Sequence, residues 1–328
     1  MDLKFKRPDM VDEAAKTGGK NLFLEILMFL GVYVVIQILM AFPILGVEFI
    51  LLFADKTAMA AITSGDLQAA LAAEQVIMSS DAMMLTSLFA TAIMILIPML
   101  FCKFIQKRKM RTLGFKKQGM WKEYGIGLLV GLGMMTAIVL IGMVTGSLQL
   151  QFNSEAMTAG GIGMLLLLFV GFLVQGMSEE VFCRSYFLIS ISRKKGNVWL
   201  GIIVSSLAFG ALHLGNSGIA PLAFVNLVLF GIFAGVYFVR RGNIWGIAAI
   251  HSIWNFAQGN IFGILVSGND FGTTIFTSTI NENMTLINGG DFGLEGGILT
   301  TIILVAGTAV MFMTKQKDVV EESLQEAA

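Results

Sequence analysis

Charged side chains are scarce in this 328-residue sequence. Asp, Glu, Lys and Arg make up 13% of it, whereas soluble globular domains carry roughly 25%. Hydrophobic residues make up 56%, the mean hydropathy is +0.79, and these residues occur in long blocks rather than in amphipathic stripes. This composition excludes an ordinary soluble domain and indicates a protein that crosses a membrane several times.

The sequence also has no net charge and only two cysteines. The 22 basic residues balance 22 acidic ones, so no nucleic-acid partner is expected. The two cysteines, Cys102 and Cys183, lie in or beside apolar segments, which argues against a disulfide framework and favours buried, inert thiols. The first 21 residues are polar, and the apolar run after them is too long for a signal-peptide core, so no cleaved targeting segment is expected.

What the sequence has in abundance is apolar segments long enough to span a bilayer, for which about 20 residues are needed. Their number predicts an all-α fold, a polytopic transmembrane helical bundle of about eight spans. The fourth segment is too long for a simple span. The predicted spans are 22–42, 82–102, 124–147, 161–191, 197–214, 219–239, 244–266 and 297–314.

The distribution of basic residues orients these spans. Cytoplasmic segments of membrane proteins are enriched in Lys and Arg, and eight alternating spans with both termini in the cytoplasm place 20 of the 22 there. The exceptions are Lys56 in an outer loop and Arg184 inside the fourth segment. The predicted cytoplasmic set is Lys4, Lys6, Arg7, Lys16, Lys20, Lys103, Lys107, Arg108, Lys109, Arg111, Lys116, Lys117, Lys122, Arg193, Lys194, Lys195, Arg240, Arg241, Lys315 and Lys317.

Three ionisable residues stand near the end of the fourth apolar segment. An ionisable group at mid-bilayer costs about 2.5–3.5 kcal/mol on insertion scales, so each needs a physical reason. Glu180 and Arg184 are four residues apart, hence on one helical face and able to form an ion pair. Glu179 is rotated by about 100° from Glu180 and cannot share that partner equally. A desolvated, incompletely paired carboxylate suits a general base.

The only two histidines of the chain also lie in predicted spans. His213 is in the fifth and His251 is in the seventh, with Asn255 one turn further along the same face. At about 1.5 Å per residue, these three residues and Glu179 fall at overlapping depths, and we expect them to face one internal cavity. A lone intramembrane His can be explained by packing and one hydrogen bond, but two His with a Glu and an Asn indicate a site.

These polar residues, in this order, resemble a known family. The stretch E-E-V-F-C-R at 179–184 is similar to its EExxxR motif, F-G-A-L-H at 209–213 to its FxxxH motif, and H-S-I-W-N at 251–255 to its HxxxN/B motif. The family is the type II CAAX prenyl protease and bacteriocin-processing (CPBP, or Abi) intramembrane endopeptidases. The resemblance covers roughly residues 160–260.

The resemblance implies an α-helical membrane protease with its site in a cavity within the bilayer. Glu179 matches the proposed catalytic glutamate, which activates a water molecule, and Glu180 and Arg184 match supporting positions. The residues that complete the site in the family correspond to His213, His251 and Asn255. The expected partners are the bilayer and a membrane-associated peptide or protein substrate, and the expected location is the plasma membrane.

Metal dependence stays open at this point, since the family is described both as metalloprotease and as glutamate-dependent. Zinc is a candidate cofactor, because Glu179, His213 and His251 could form a three-ligand site with an open position. Without metal, the His and Asn side chains would stabilise the oxyanion instead. We favour the metal-free version, in which the Glu that serves as base is not also a ligand.

The resemblance divides the chain into three parts. Residues 1–159 hold the N-terminal cytoplasmic segment and three spans, 160–260 the protease-like core, and 261–328 an outer loop, the last span and a cytoplasmic tail. The alternative function is a non-enzymatic transporter or a bacteriocin self-immunity protein that uses the same polar cluster. The sequence shows no internal repeat of the kind that common transporter folds carry.

Overall fold

The computed structural model describes residues 6–195, 197–314 and 316. Lys4, Lys315 and Lys317, which the charge distribution assigns to the cytoplasmic side, lie outside the described residues. The helices are α1 (Asp9–Ala15), α2 (Leu22–Ala54), α3 (Lys56–Ser64), α4 (Leu67–Met78), α5 (Asp81–Ala90), α6 (Ile93–Leu100), α7 (Met120–Val144), α8 (Ala159–Glu180), α9 (Ile189–Lys195), α10 (Val198–Leu212), α11 (Pro221–Arg241), α12 (Trp245–Phe256), α13 (Thr285–Asn288) and α14 (Ile298–Met313). The strands are β1 (Leu148–Phe152) and β2 (Phe276–Ile280), and π-helical segments occupy Phe101–Ile105, Val181–Leu188 and Ala257–Ile261.

The long apolar helices confirm the helical bundle. Among the described residues, five helices are long and apolar enough to cross a membrane, and they coincide with the first, second, third, fourth and sixth predicted spans. The other three predicted spans fall on α10, α12 and α14, of 15, 12 and 16 residues. A 15-residue helix extends only about 22 Å against a hydrocarbon core of about 30 Å. These three segments can therefore cross only together with their flanking turns, and the count of eight stays a prediction.

The orientation of the bundle can be tested by labelling single cysteines. Lys56 and Lys117 are exposed on loops that the charge distribution places on opposite sides, while the native Cys102 and Cys183 are buried. We expect Lys56→Cys to react with a membrane-impermeant thiol reagent from outside intact cells, and Lys117→Cys to react only after lysis. Reaction of both from the same side would contradict the predicted topology.

The fourth apolar segment is one continuous helix whose second half lies inside the protein. The α-helix α8 passes directly into the π-helical segment Val181–Leu188 and then into α9. All eight residues of the π-helical segment are buried. The excess length that the sequence shows is thus explained by a helix that leaves the lipid-facing layer and enters the core. The motif residues at 179–184 stand at the α-to-π junction.

Small residues let α12 sit at the centre of the bundle. A Cβ atom added to Gly127 of α7 would lie 2.2 Å from the Gly246 carbonyl oxygen, and one added to Gly176 of α8 would lie 2.4 Å from Ser252 Oγ. Because only glycine permits such approaches, α7 and α8 pack closely on either side of α12. The Gly127/Gly131 and Gly231/Gly235 pairs, each with the spacing G-x-x-x-G, lie at such close contacts between helices.

The outer loops contain a feature that the all-helical expectation missed. Strands β1 and β2 pair antiparallel, from Leu148 opposite Ile280 to Phe152 opposite Phe276. The sequence LQLQF of β1 does alternate, but it is only five residues long and directly follows an apolar span, and FTSTI of β2 lies in a polar loop. Neither segment was therefore predicted as a strand. The short helix α4 lies between the first two predicted spans, and most of its residues are exposed.

Candidate active site

A cavity of about 270 Å³ lies within the bundle. Glu179 at the end of α8, His213 after α10, and His251 and Asn255 of α12 all line it. Apolar side chains from these and other helices form much of the remaining wall, among them Met40, Met94, Leu212, Leu227, Trp254 and Leu304. The structure therefore brings the four predicted site residues to one cavity, from three helices, although 76 residues of sequence separate Glu179 from Asn255.

Glu179 presents a partly free carboxylate to this cavity. Its side chain is 18% exposed. Gln175 Nε2 donates a hydrogen bond of 2.6 Å to Glu179 Oε1 from one turn earlier on α8. Glu179 Oε2 has no hydrogen-bond partner among the described residues, and His251 Nε2 lies 3.6 Å from it. One oxygen is held in place and the other is available to accept a proton.

Glu180 is fully buried and contacts two basic groups. Arg184 Nη1 lies 3.0 Å from Glu180 Oε1, which is the ion pair that the spacing of four residues predicts. His251 Nδ1 donates a 2.9 Å hydrogen bond to the same oxygen. Acidic and basic groups consequently alternate along Glu179, His251, Glu180 and Arg184, and the buried charge of Glu180 faces the opposite charge of Arg184.

Aromatic rings fix the orientation of His251. The Phe230 ring meets it edge to face with centroids 4.8 Å apart, and the Phe209 ring does so at 5.9 Å. Phe209 also covers Arg184, whose guanidinium carbon lies 4.7 Å from the ring centroid. With Nδ1 donating to Glu180 and the ring held between two phenyl groups, His251 directs Nε2 towards Glu179.

His213 differs from its predicted position inside the fifth span. It caps the C-terminus of α10, one residue beyond the last helical residue Leu212, and is half-buried. Its Nδ1 lies 2.8 Å from the Phe209 carbonyl oxygen. A carbonyl only accepts, so Nδ1 carries a hydrogen and the neutral ring keeps its lone pair on Nε2. The helix ends here, and the polar ring is therefore placed at the cavity rather than in lipid.

Gln175 connects Asn255 to the Glu179 carboxylate. Asn255 Nδ2 donates a 3.0 Å hydrogen bond to Gln175 Oε1, while the amide nitrogen of Gln175 donates to Glu179. Gln175 therefore joins α8 to α12 at the wall of the cavity. Its two hydrogen bonds assign it to the site.

Arg108 is a supporting residue that the sequence did not reveal, because it is one of eight basic residues between 103 and 122. It is 2% exposed and donates through Nη2 to the Ser185 carbonyl at 3.0 Å and through Nη1 to the Tyr186 carbonyl at 3.3 Å. These carbonyls belong to the π-helical segment next to Glu180 and Arg184. Burial lowers the pKa of Arg108. Its buried charge is balanced by hydrogen bonds that hold this segment.

Replacing Arg108 should loosen the π-helical segment. We expect Arg108→Met to lower the free energy of unfolding by about 1.5–3 kcal/mol, the usual net value of a hydrogen bond to a charged group. Arg108→Lys keeps the charge but not the forked geometry, and should cost less. The matched control is the exposed neighbour variant Lys107→Met, which should be neutral in the same thermal unfolding assay. Equal stability of Arg108→Met and Lys107→Met would exclude this role.

The donor set does not form a zinc site as arranged. Zinc needs three protein ligands converging within about 2 Å of one point. In the described part of the chain, no group of three or more His, Cys, Asp or Glu side chains is placed to hold a metal ion. The zinc set named from the sequence, Glu179, His213 and His251, is therefore not assembled, since Glu179 and His251 face each other while His213 is fixed separately by the Phe209 carbonyl.

Comparison with known proteins adds one finding. Residues 161–257 match the family model described as type II CAAX prenyl endopeptidase Rce1-like. This segment includes all three motifs, so the resemblance drawn from them is confirmed over it. No curated protein and no solved structure matches the chain. Together with the five long apolar helices, the match indicates an integral membrane protein with a segment similar to CAAX-type endopeptidases.

Proposed function

We propose that this protein is an intramembrane endopeptidase that hydrolyses a peptide bond in a membrane-associated peptide or protein, with Glu179 as the base that activates water. The observation that carries the proposal is the partly free Glu179 carboxylate, which shares a cavity with His213, His251 and Asn255. A base must be able to reach a water molecule and the substrate carbonyl at once, and a cavity-lining carboxylate meets this condition.

In the proposed reaction, Glu179 takes a proton from water while the water oxygen attacks the carbonyl carbon of the substrate. The resulting oxyanion receives hydrogen bonds from the Asn255 amide and from His251 or His213 in the imidazolium form, since Nδ1 of each ring already donates and only this form also has a hydrogen on Nε2. Glu179 then gives its proton to the amide nitrogen as the C–N bond breaks. The products are a carboxylic acid and an amine.

Glu180, Arg184 and Gln175 position these groups without touching the substrate. Glu180 fixes the tautomer and direction of His251 through Nδ1, and Gln175 fixes the Glu179 carboxylate. No step is assigned to a metal ion, because the His and Glu side chains are not arranged as three ligands. We also propose the plasma membrane as the location.

The test is activity of the pure protein in liposomes on a library of membrane-anchored, quenched fluorogenic peptides, with metal analysis of the same preparation. We expect cleavage that persists after treatment with a strong chelator and dialysis. Loss of cleavage on chelation and its return with zinc would overturn the metal-free mechanism but keep the protease. Absence of cleavage across the library would favour the transporter or self-immunity alternative.

A further inference from the structure

Glu295 is a second carboxylate on the wall of the same cavity. It lies in a short 3₁₀ turn, Leu294–Gly296, just before α14 and outside the segment that matches the family. Gln258 Nε2 donates to Glu295 Oε2 at 2.5 Å, the Ser267 backbone N–H at 3.1 Å, and the Ser267 hydroxyl donates to Oε1 at 3.3 Å. The carboxylate is thus held in a fixed position by uncharged groups.

Ser267, which donates to Glu295, is itself held in place by its surroundings. Ser267 has a left-handed backbone, with a φ of 47° that is unusual for a residue other than glycine. Its carbonyl accepts a 2.9 Å hydrogen bond from Asn216 Nδ2. The turn after α10, the loop after α12 and the turn before α14 therefore meet at Glu295. A carboxylate held in this way needs no reorganisation to bind a ligand.

Glu295 lacks a cationic partner. Among the described residues it takes part in no ion pair, in contrast to Glu25, Glu123 and Glu180, and no Lys or Arg side chain lines the cavity. Burial raises the pKa of Glu295 to about 7, against the lowering effect of its hydrogen bonds. A buried carboxylate in this state gains free energy from an incoming cation.

Glu295 can pair with an organic cation but not hold a divalent metal ion. One carboxylate cannot by itself hold a divalent metal ion, which needs several oxygen ligands, and the described residues offer no metal-binding group there. The other titratable groups on the cavity wall are Tyr33, Glu179, Cys183, His213 and His251. None of them is hydrogen-bonded to Glu295, whose side-chain partners, Gln258 and Ser267, do not titrate.

We propose that Glu295 forms a subsite for a cationic group of the substrate, a Lys or Arg side chain or a free amino group, next to the proposed peptidase site. The inference rests on the proposed function for what the cavity binds, and it names the substrate class: a membrane-associated segment with a basic residue near the cleaved bond. An anionic segment, in contrast, would meet two carboxylates and no Lys or Arg side chain.

The test uses sets of membrane-anchored peptides that differ only in Lys, norleucine or Glu at one position, scanned over four residues on each side of the central bond. Binding is measured in liposomes by fluorescence on Glu179→Gln protein, so that no cleavage is needed. At pH 8, we expect Lys at one position to bind about 10- to 100-fold more tightly than norleucine. In Glu179→Gln/Glu295→Gln this preference should vanish, and at pH 5.5 it should shrink because Glu295 is protonated.

The matched control is Glu282→Gln, an exposed acid of the same outer loop, which should leave the Lys preference intact. If Glu295→Gln lowers thermal stability but keeps the preference, Glu295 is a structural clamp and the proposal is wrong. Equal binding of Lys and norleucine at every position would also overturn it. Selective binding of Lys by Glu179→Gln, without any cleavage by the unmodified protein, would instead contradict the proposed peptidase and leave the subsite standing.

Discussion

Replacing Glu179 with Gln is expected to lower the rate of peptide hydrolysis by about 10²- to 10⁴-fold, the usual cost of losing a positioned general base. The fold should survive, because the amide oxygen of the new side chain can still accept the Gln175 hydrogen bond that Glu179 Oε1 now accepts. The other carboxylate oxygen makes no hydrogen bond in the described structure that could be lost. The measurement is kcat and KM on one cleaved peptide, together with thermal unfolding.

Two control variants test this expectation. Glu155→Gln changes an exposed acid in the predicted outer loop before α8 and should alter neither rate nor stability. Glu180→Gln keeps an acceptor for His251 but removes the charge beside Arg184, so it should affect stability more than Glu179→Gln does. Near-normal turnover of Glu179→Gln would move the catalytic role to Glu180. Unfolding of Glu179→Gln would make the Glu-Glu pair structural and remove the main support for an enzyme.

Local spacing predicted the parts of the site that one helix determines. Because Glu180 and Arg184 are separated by one helical turn, their ion pair follows from the sequence alone, and the excess of carboxylates over partners marks Glu179 as the freer group. The hydrogen bond from His251 to Glu180 spans 71 residues. It depends on how closely α8 and α12 approach at Gly176 and Ser252, which no local pattern encodes.

Three other features of the structure could not be predicted from the sequence. The π-helical segment Val181–Leu188 is only eight residues long and mostly apolar. Its sequence is equally compatible with an α-helix, so hydrophobic periodicity cannot distinguish the two. Arg108 resembles the basic residues around it, and only its burial against the Ser185 and Tyr186 carbonyls separates it from them. Glu295 stands in a polar, glycine-rich loop, where an acid is ordinarily solvated, and its place on the cavity wall is a tertiary property.

Replacing Arg184 with Ala is expected to lower the free energy of unfolding by about 3–5 kcal/mol, because it leaves the fully buried Glu180 with an uncompensated charge. The Phe209 ring would also lose the guanidinium that covers it. Activity should fall together with stability, since Glu180 directs His251. Unfolding can be followed in detergent through the two cysteines, Cys102 and Cys183, which are free and buried in the fold and react with a thiol dye only when it opens.

A double variant in which Glu180 and Arg184 are both replaced by neutral residues distinguishes the effect of charge on stability from the effect of packing. In Glu180→Gln/Arg184→Met neither partner carries a charge, the volume is nearly kept, and the Gln oxygen can still accept from His251 Nδ1. Buried ion pairs replaced as a whole by neutral side chains of similar size often keep or gain stability. We therefore expect the double variant to recover most of what Arg184→Ala loses. If Arg184→Ala unfolds at the same temperature as the unmodified protein, the alternating row of charges does not stabilise the site. If the double variant is as unstable as Arg184→Ala, Arg184 acts through the volume it fills against Phe209 and not through its charge.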